Sequence, residues 1–549
     1  MPKRELAIHL FVWLAVIAAA FLNITRSIRA DDVWSLRTAS LTLPGLLVTV
    51  RADVHPPLYF LLLQAWSSVF GPNELSGRLL SVLFHFTATF VVFALGRRLA
   101  SAQQPPQPPS SFDRSAGPLT RAWPLGHASA QEAPTPESGA DVLVRDQPLG
   151  RHLQADASGH ASSWPSPNNA IGLLCAAIYA FAPLAVLSAE LIRMYSLAGL
   201  LSATVIWFWL AVASEDARPR DWAGFTLAVA LGSFAHIWML CLIAGLGVAS
   251  VVHFPRRAVK LLAAIAFALL PFTFVWLPVL AAQVANSGES TAWLRPPAFQ
   301  TFGELAFLHL GVTPLFLLLF LSPLFRRRQP AAALPVWTFT LYAATLLPPL
   351  LISFWRPFFF PRFTIVALPT LAIALGCLLS RIKPTPLAAS ISALALIFFI
   401  GSKAGSPECD AKCAAEKLLG QLTVQDAVIF GSLSRPAVSY YLNRVHGWQS
   451  WREQSFPSAI DAHSGYEGAH LRATDLTPLR REAAATVSSF VQNGTRRVYF
   501  LAGYRRQVDA PLIDALGQHY RPLPSLLKCG RGDYFTEILV FERPPSNSQ

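Results

Sequence analysis

The chain has 549 residues, of which 53% are apolar and only 14% charged, and its formal net charge is +13. Mean hydropathy is positive, whereas a soluble globular chain carries about 25% charged residues, so an ordinary soluble domain is excluded. The net charge invites a nucleic-acid reading, but the cations are placed against it. They cluster at Lys3-Arg4, Arg97-Arg98, Arg218 to Arg220, Arg256-Arg257, Arg326 to Arg328 and Arg381 to Lys383, each at the end of an apolar run. Cations gathered on one side of a series of spans report membrane orientation.

In chain order, apolar runs long enough to cross a bilayer core recur as far as Ser402. Eleven spans are expected: Leu6–Leu22, Gly77–Ala100, Ala170–Leu187, Tyr195–Ala213, Trp222–Ala235, Ile237–His253, Val259–Ala282, Leu305–Phe325, Leu334–Phe354, Phe363–Ser380 and Leu387–Ser402. The pair around His236 reads as two short spans or one long tilted helix. The basic residues Arg220 and Arg256 on either side both belong inside if there are two, and two are taken. No small-residue cleavage site follows the first run, so it reads as a retained span and not a signal peptide. The expectation is a multi-pass protein of the cell inner (plasma) membrane with its N-terminus in the cytoplasm.

Four regions follow. Residues 1–100 hold the first spans and an outer loop, 101–169 an insertion, 170–402 the remaining spans, and 403–549 a soluble domain. The insertion is dense in Pro, Ser, Ala, Gln and Gly without apolar periodicity, so it buries too little to offset its ordering entropy. It is expected to be a disordered cytoplasmic loop. Beyond Lys403, an apolar run at Ala427–Phe430 is followed by a helix-period pattern. A helix at Glu482–Gln492 then precedes the strand in "RRVYFLAG", and "DYFTEILVFER" gives a late alternating strand. Strands alternating with helices imply a small α/β layer domain, and eleven spans place it outside the cytoplasm. The fold class is thus a polytopic α-helical membrane protein with a small C-terminal α/β domain.

Cys175, Cys241 and Cys377 lie inside expected spans and read as small apolar residues. Cys409, Cys413 and Cys529 lie in the outer domain, where an oxidising compartment would allow one disulfide among them, with no pairing preferred. A metal site built on Cys409 and Cys413 lacks a nearby His or further Cys at ligand spacing.

The outer loop after the first span carries Asp31 and Asp32, then Asp53-Val54-His55-Pro56-Pro57. Asp53 and His55 flank one residue, so in an extended segment they share a face. The proline pair fixes the backbone and starts the helix that follows. The acids read alone as a polar collar at a membrane surface, and His55 alone as a helix cap. Arg78 opens the second span at the same face. Glu190, Arg193 and Tyr195 lie in the turn between the third and fourth spans, Arg362 in the turn before the tenth, and His236 beside Trp238. Arginine on the outer face runs against the orientation rule. Either the side chains snorkel to lipid headgroups, or they bind phosphate, which the planar guanidinium suits.

An acidic pair followed about twenty residues later by "DVHPPL" resembles the first outer loop of the GT-C membrane glycosyltransferases, the protein O-mannosyltransferases and their bacterial relatives. The resemblance spans about residues 1 to 400 without the insertion and is strongest at 31–100 and 176–200. It implies transfer of a sugar from a polyprenyl-phosphate donor to an acceptor hydroxyl of a lipid, glycan or protein, by inverting displacement. Such a reaction needs a carboxylate base for the acceptor and cations for the departing lipid phosphate. By resemblance Asp31 is the base and Asp32 its orienter, with Asp53 a third catalytic acid. His55, Arg78, Arg193, Tyr195 and Arg362 would hold the donor phosphate, with Glu190 and His236 as further contacts. The family's pair usually reads Asp-Glu, and the shorter Asp32 leaves open which acid is the base. The carboxylates are compatible with Mg²⁺ or Mn²⁺, but no dedicated metal ligand set is apparent, and no other cofactor is implied. The rival class is a transporter or flippase of lipid-linked glycans, which would share the spans and outer arginines. No nucleic-acid partner is expected.

Overall fold

The computed structural model describes residues 3–21, 24–53, 55–101, 167–285, 294–311, 335–380, 410–446, 451–462, 475–503, 506–528 and 535–545. The bulk of the expected insertion, the span at Leu387–Ser402, most of Leu305–Phe325, the last two basic clusters, Cys409 and Cys529 lie outside the described residues. So therefore does any disulfide that uses Cys409 or Cys529.

The N-terminal part is helical: α1 (Lys3–Phe21), α2 (Ala30–Ala39), α3 (Leu43–Ala52), α4 (Leu58–Phe70), α5 (Glu74–Ser101), α6 (Pro167–Phe181), α7 (Pro183–Glu190), α8 (Tyr195–Ala213), α9 (Pro219–Ala235), α10 (Trp238–His253), α11 (Ala258–Val275), α12 (Leu277–Ala285), α13 (Phe299–Leu310), α14 (Val336–Ile352), a 3₁₀ turn (Pro361–Ala367) and α15 (Leu368–Leu379). Four segments are long and apolar enough to cross a membrane, namely α5, α8, α11 and Pro361–Leu379. The pair α6–α7, bent by 59°, makes a fifth if it is one span. The bend falls where Pro183 opens α7, because proline cannot continue the hydrogen-bond ladder of the preceding turn. On α11, Val259, Phe267 and Phe274 are 80%, 65% and 76% exposed. A long helix with that outward face is a lipid-facing surface, so the chain is a polytopic helical membrane protein. The other expected spans are shorter helices, such as α10 and α14, or run beyond the described residues.

Two local features shape the bundle. The region around His236 is two helices, because His236 is extended (φ −156°, ψ 137°) and ends α9. Its Nδ1 then accepts the Trp238 amide at 3.1 Å, as a cap for α10. The first outer loop is mostly helical, since α2, α3 and α4 occupy most of residues 30–70. Packing among the spans relies on small residues. A Cβ at Gly96 would stand 3.0 Å from Gly172 Cα, and one at Gly172 would stand 2.8 Å from Phe93 O, so α5 and α6 touch along their backbones.

The C-terminal part runs α16 (Ala411–Leu419), β1 (Ala427–Gly431), α17 (Ser434–His446), β2 (Arg452–Phe456), α18 (Thr477–Gln492), β3 (Arg497–Ala502), α19 (Arg506–His519), β4 (Arg521–Lys528) and β5 (Glu537–Glu542). The strands form one sheet in the order β2-β1-β3-β5-β4. β1 is parallel to β2 and β3, and β5 is antiparallel to β3 and β4. Alternation along the strands gives two faces. Val428, Phe430, Tyr499 and Leu501 join α16 and α17 in a core continuous with the membrane helices. Ala427, Ile429, Val498 and Phe500 pack with α18 and α19. The sheet domain is therefore docked on the bundle and not tethered beside it.

Candidate active site

Five segments meet at the end of the bundle that carries the sheet domain: the start of α2, Asp53 with residues 55–57, the α7–α8 turn, the α9–α10 turn and the 3₁₀ turn. Asp32 sits at the third position of α2 and is fully buried. Its Oδ1 accepts the Ile192 amide at 2.8 Å, and its Oδ2 accepts the Arg29 amide at 3.3 Å. Burial pushes its carboxyl pKa up, against the charges of Arg78 and Arg29 and those two hydrogen bonds. An acid so engaged is built to hold the α7–α8 turn against α2. Asp31, beside it, is only partly buried and is the member of the pair that a hydroxyl can reach.

Arg193 lies in the α7–α8 turn and is 7% exposed. Its Nη2 donates to His55 Nε2 at 2.9 Å, and its Nη1 reaches Ser35 Oγ at 3.5 Å. A guanidinium only donates, so His55 Nε2 accepts and the ring proton sits on Nδ1. The guanidinium also lies over the Trp34 ring, 5.6 Å from its centre. Burial works against its charge, but Asp31, Tyr195, Asp53 and Asp32 together hold its pKa above the ordinary value. Its Nε is buried without a hydrogen-bond partner among the described residues.

His236 is 1% exposed, and its ring lies 6.0 Å from that of His55, 5.7 Å from Tyr195 and 5.5 Å from Phe363. Since Nδ1 accepts the Trp238 amide, the ring proton is on Nε2, and that atom too is buried without a partner among the described residues. Phe363 stacks on Tyr195 at 6.2 Å. The 3₁₀ turn that presents it is pinned from behind by His309, whose Nε2 meets Thr364 Oγ1 at 2.6 Å and whose Nδ1 meets Tyr342 OH at 3.1 Å.

The structure thus gathers Asp31, Asp32, Asp53, His55, Arg193, Tyr195 and His236. Arg362 stands one residue before Phe363 with its guanidinium 4.8 Å from the Phe360 ring centre, and no hydrogen bond joins it to the others among the described residues. Glu190 is buried at the end of α7, 3.7 Å from Arg26. Arg78 is engaged by main chain. Its Nε donates to Glu190 O at 3.1 Å, its Nη1 to Ile24 O at 2.9 Å and to Arg26 O, and its Nη2 to Ser27 O at 2.9 Å. Four of its five donor hydrogens serve main-chain carbonyls, so it clamps the loop before α2.

Four contributors escaped the sequence reading: Trp34, Ser35, Tyr59 and Phe363. Trp34 and Ser35 were within reach, because positions three and four after Asp31 share its face once the segment is a helix. Tyr59 is fully buried and feels the charges of Asp32 and Arg193, but in an apolar helix its pattern is that of core. No three His, Cys, Asp or Glu side chains among the described residues gather as metal ligands.

A scan against family models finds no match, and a search of curated proteins finds none. Among solved structures, the chain is similar to the crystal structure of ArnT from Cupriavidus metallidurans in the apo state, at 11% identity over 97% of both chains and a TM-score of 0.49. It is similar to the same protein bound to undecaprenyl phosphate, at 12% identity over 98% of both chains and a TM-score of 0.49. At that identity and TM-score, neither a shared fold nor a shared activity follows.

Proposed function

We propose that the chain is an integral-membrane glycosyltransferase of the GT-C kind. It would transfer a sugar from a polyprenyl-phosphate donor to an acceptor hydroxyl at the extracytoplasmic face, within an eleven-span topology. The observation that carries this reading is the set of two buried, unused N–H donors, Arg193 Nε and His236 Nε2, in one cluster with a partly exposed carboxylate at the end of apolar spans. Unused buried donors cost stability, and a departing lipid phosphate is the group that would take them up.

In the proposed displacement the acceptor oxygen forms its bond to the anomeric carbon as the bond from that carbon to the phosphate oxygen breaks. The acceptor proton passes to Asp31, and the new charge stays on the lipid phosphate beside Arg193. Asp31→Asn keeps shape and removes basicity, so transfer should fall on the order of 10²–10⁴-fold. Asp32→Asn should cost less, because Asp32 acts on position. The assay uses membranes, a polyprenyl-phosphate sugar and a broad acceptor pool, and undiminished transfer in Asp31→Asn, Asp32→Asn and Asp53→Asn alike would end the reading.

One observation favours the rival, a flippase of lipid-linked glycans. α6–α7 is an interrupted helix, bent by 59°, a form that transporters use at substrate sites. Proteoliposomes holding a fluorescent lipid-linked glycan and no acceptor separate the two, since only a flippase changes the accessible leaflet there.

A further inference from the structure

We propose that the sheet domain is a latch on the acidic segment, and that Tyr441 and Glu74 are positioning residues for Asp31. The inference rests on the transferase reading only for its consequence in turnover. Residues 24–29 form neither helix nor strand. Their local bonds are those of the Ile24 amide to Phe21 O and of Arg29, which caps α2 through Asp32. Between those two ends, the polar atoms are met from outside. Arg78 takes the carbonyls of Ile24, Arg26 and Ser27. From the sheet domain, Tyr441 OH accepts the Ile28 amide at 2.9 Å, and Ser27 Oγ accepts the Lys412 amide at 3.1 Å.

The Tyr441 hydroxyl has one hydrogen, and it goes to Glu74 Oε2 at 2.6 Å, at the first residue of α5. The Glu74 amide in turn donates to Tyr440 OH at 3.2 Å. One buried hydroxyl therefore bridges the loop before α2 and the start of α5. Ala30, adjacent to Asp31, is fully buried and belongs to the sheet domain's own apolar cluster. Asp31 follows Ile28 by three residues, so a shift at Ile28 is delivered to the carboxylate. A displacement of about 1 Å at a reacting group costs on the order of 10²-fold in rate.

The test uses the full-length chain in lipid nanodiscs, with hydrogen–deuterium exchange beside the transfer assay. Tyr441→Phe should speed exchange in peptides covering residues 24–34. It should lower kcat about ten- to a hundredfold while the donor KM moves less than about twofold. Glu74→Ala should do the same from the other end of the bond, and Glu74→Gln, which keeps an oxygen acceptor, should recover most of the loss. Unchanged exchange in Tyr441→Phe and Glu74→Ala overturns the latch. Faster exchange with unchanged kcat removes the positioning role. If exchange quickens but the unaltered chain transfers no sugar, the latch stands and the transferase reading falls.

Discussion

Arg193 shows how a buried cation ties stability to chemistry. Its side chain faces the charges of Asp31, Asp53 and Asp32, so Arg193→Ala strips three carboxylates of their common partner. Losing one partner of a buried ionic group costs roughly 3–5 kcal/mol, and that variant should report lost stability before lost binding. Arg193→Lys is the sharper probe. It keeps the positive charge but has neither the fork that reaches His55 and Ser35 nor the Nε donor. Its melting temperature should stay within a few degrees of the parent, and its affinity for a polyprenyl phosphate should drop about tenfold, one good hydrogen bond to a charged group. Titration of the purified chain with a fluorescent polyprenyl phosphate measures this. Unaltered affinity in Arg193→Lys would return the residue to a purely structural place. Arg362→Ala offers the contrast, because that side chain lies over the Phe360 ring without a hydrogen bond to the cluster among the described residues, and its removal should leave the fold unchanged.

At the scale of elements, legibility followed burial pattern. β1, β3 and β5 show in the sequence because their residues are apolar or alternate. β2 (Arg-Glu-Gln-Ser-Phe) is a polar edge strand, and β4 holds Pro522 and Pro524, which sheets admit only at an edge or a bulge. β4 is such an edge, with an irregular register between Leu523 and Leu527. The break at His236 was expected from the basic residues on either side, but its cause, one side chain bonding the amide two residues on, was hidden. The acidic pair and "DVHPPL" were legible as a motif, but which atoms remain unused was not, because the engagement of Arg78 depends on carbonyls more than fifty residues away. One element carries a pH signature. Asp509 in α19 is 3% exposed and accepts the Gly503 amide at 2.8 Å. Burial pushes its pKa up to about 7 from 3.8, against that bond. The folded domain then binds this proton more tightly than the unfolded chain does. The stability it lends is full below 3.8 and is lost as pH rises through about 7, with a slope of at most about 1.4 kcal/mol per pH unit. Asp509→Asn keeps an acceptor for Gly503 and cannot ionise. Its advantage over the parent should grow between pH 5 and about 7 and then level off. Parallel denaturation curves for the two chains over that range would show that Asp509 is already ionised in the fold.

For the whole molecule, the two ends of the bundle are chemically opposite. Arg98 donates to Trp207 O and Leu210 O near the end of α8, and Arg257 donates to Val212 O one turn on. Two basic clusters thus converge where α8 finishes, while Arg193 and Tyr195 stand where it begins. On α5, Arg78 and Arg97 are nineteen residues apart, which is about 29 Å along a helix axis and matches one hydrocarbon core. The sheet domain is bonded to the Arg78 end through Ser27 and Ile28. Under the proposed orientation, the Arg97 end is expected in the cytoplasm and the acidic cluster with the sheet domain outside. Single cysteines at Ser101 and Val424, introduced after the native cysteines are changed to Ser, test this directly because both positions are exposed. An impermeant maleimide on intact cells should label Val424→Cys and should reach Ser101→Cys only after permeabilisation. The reverse pattern would turn the whole bundle over. The Asp31–Arg193 cluster would then face the cytoplasm, and an extracytoplasmic transferase could not be built on it.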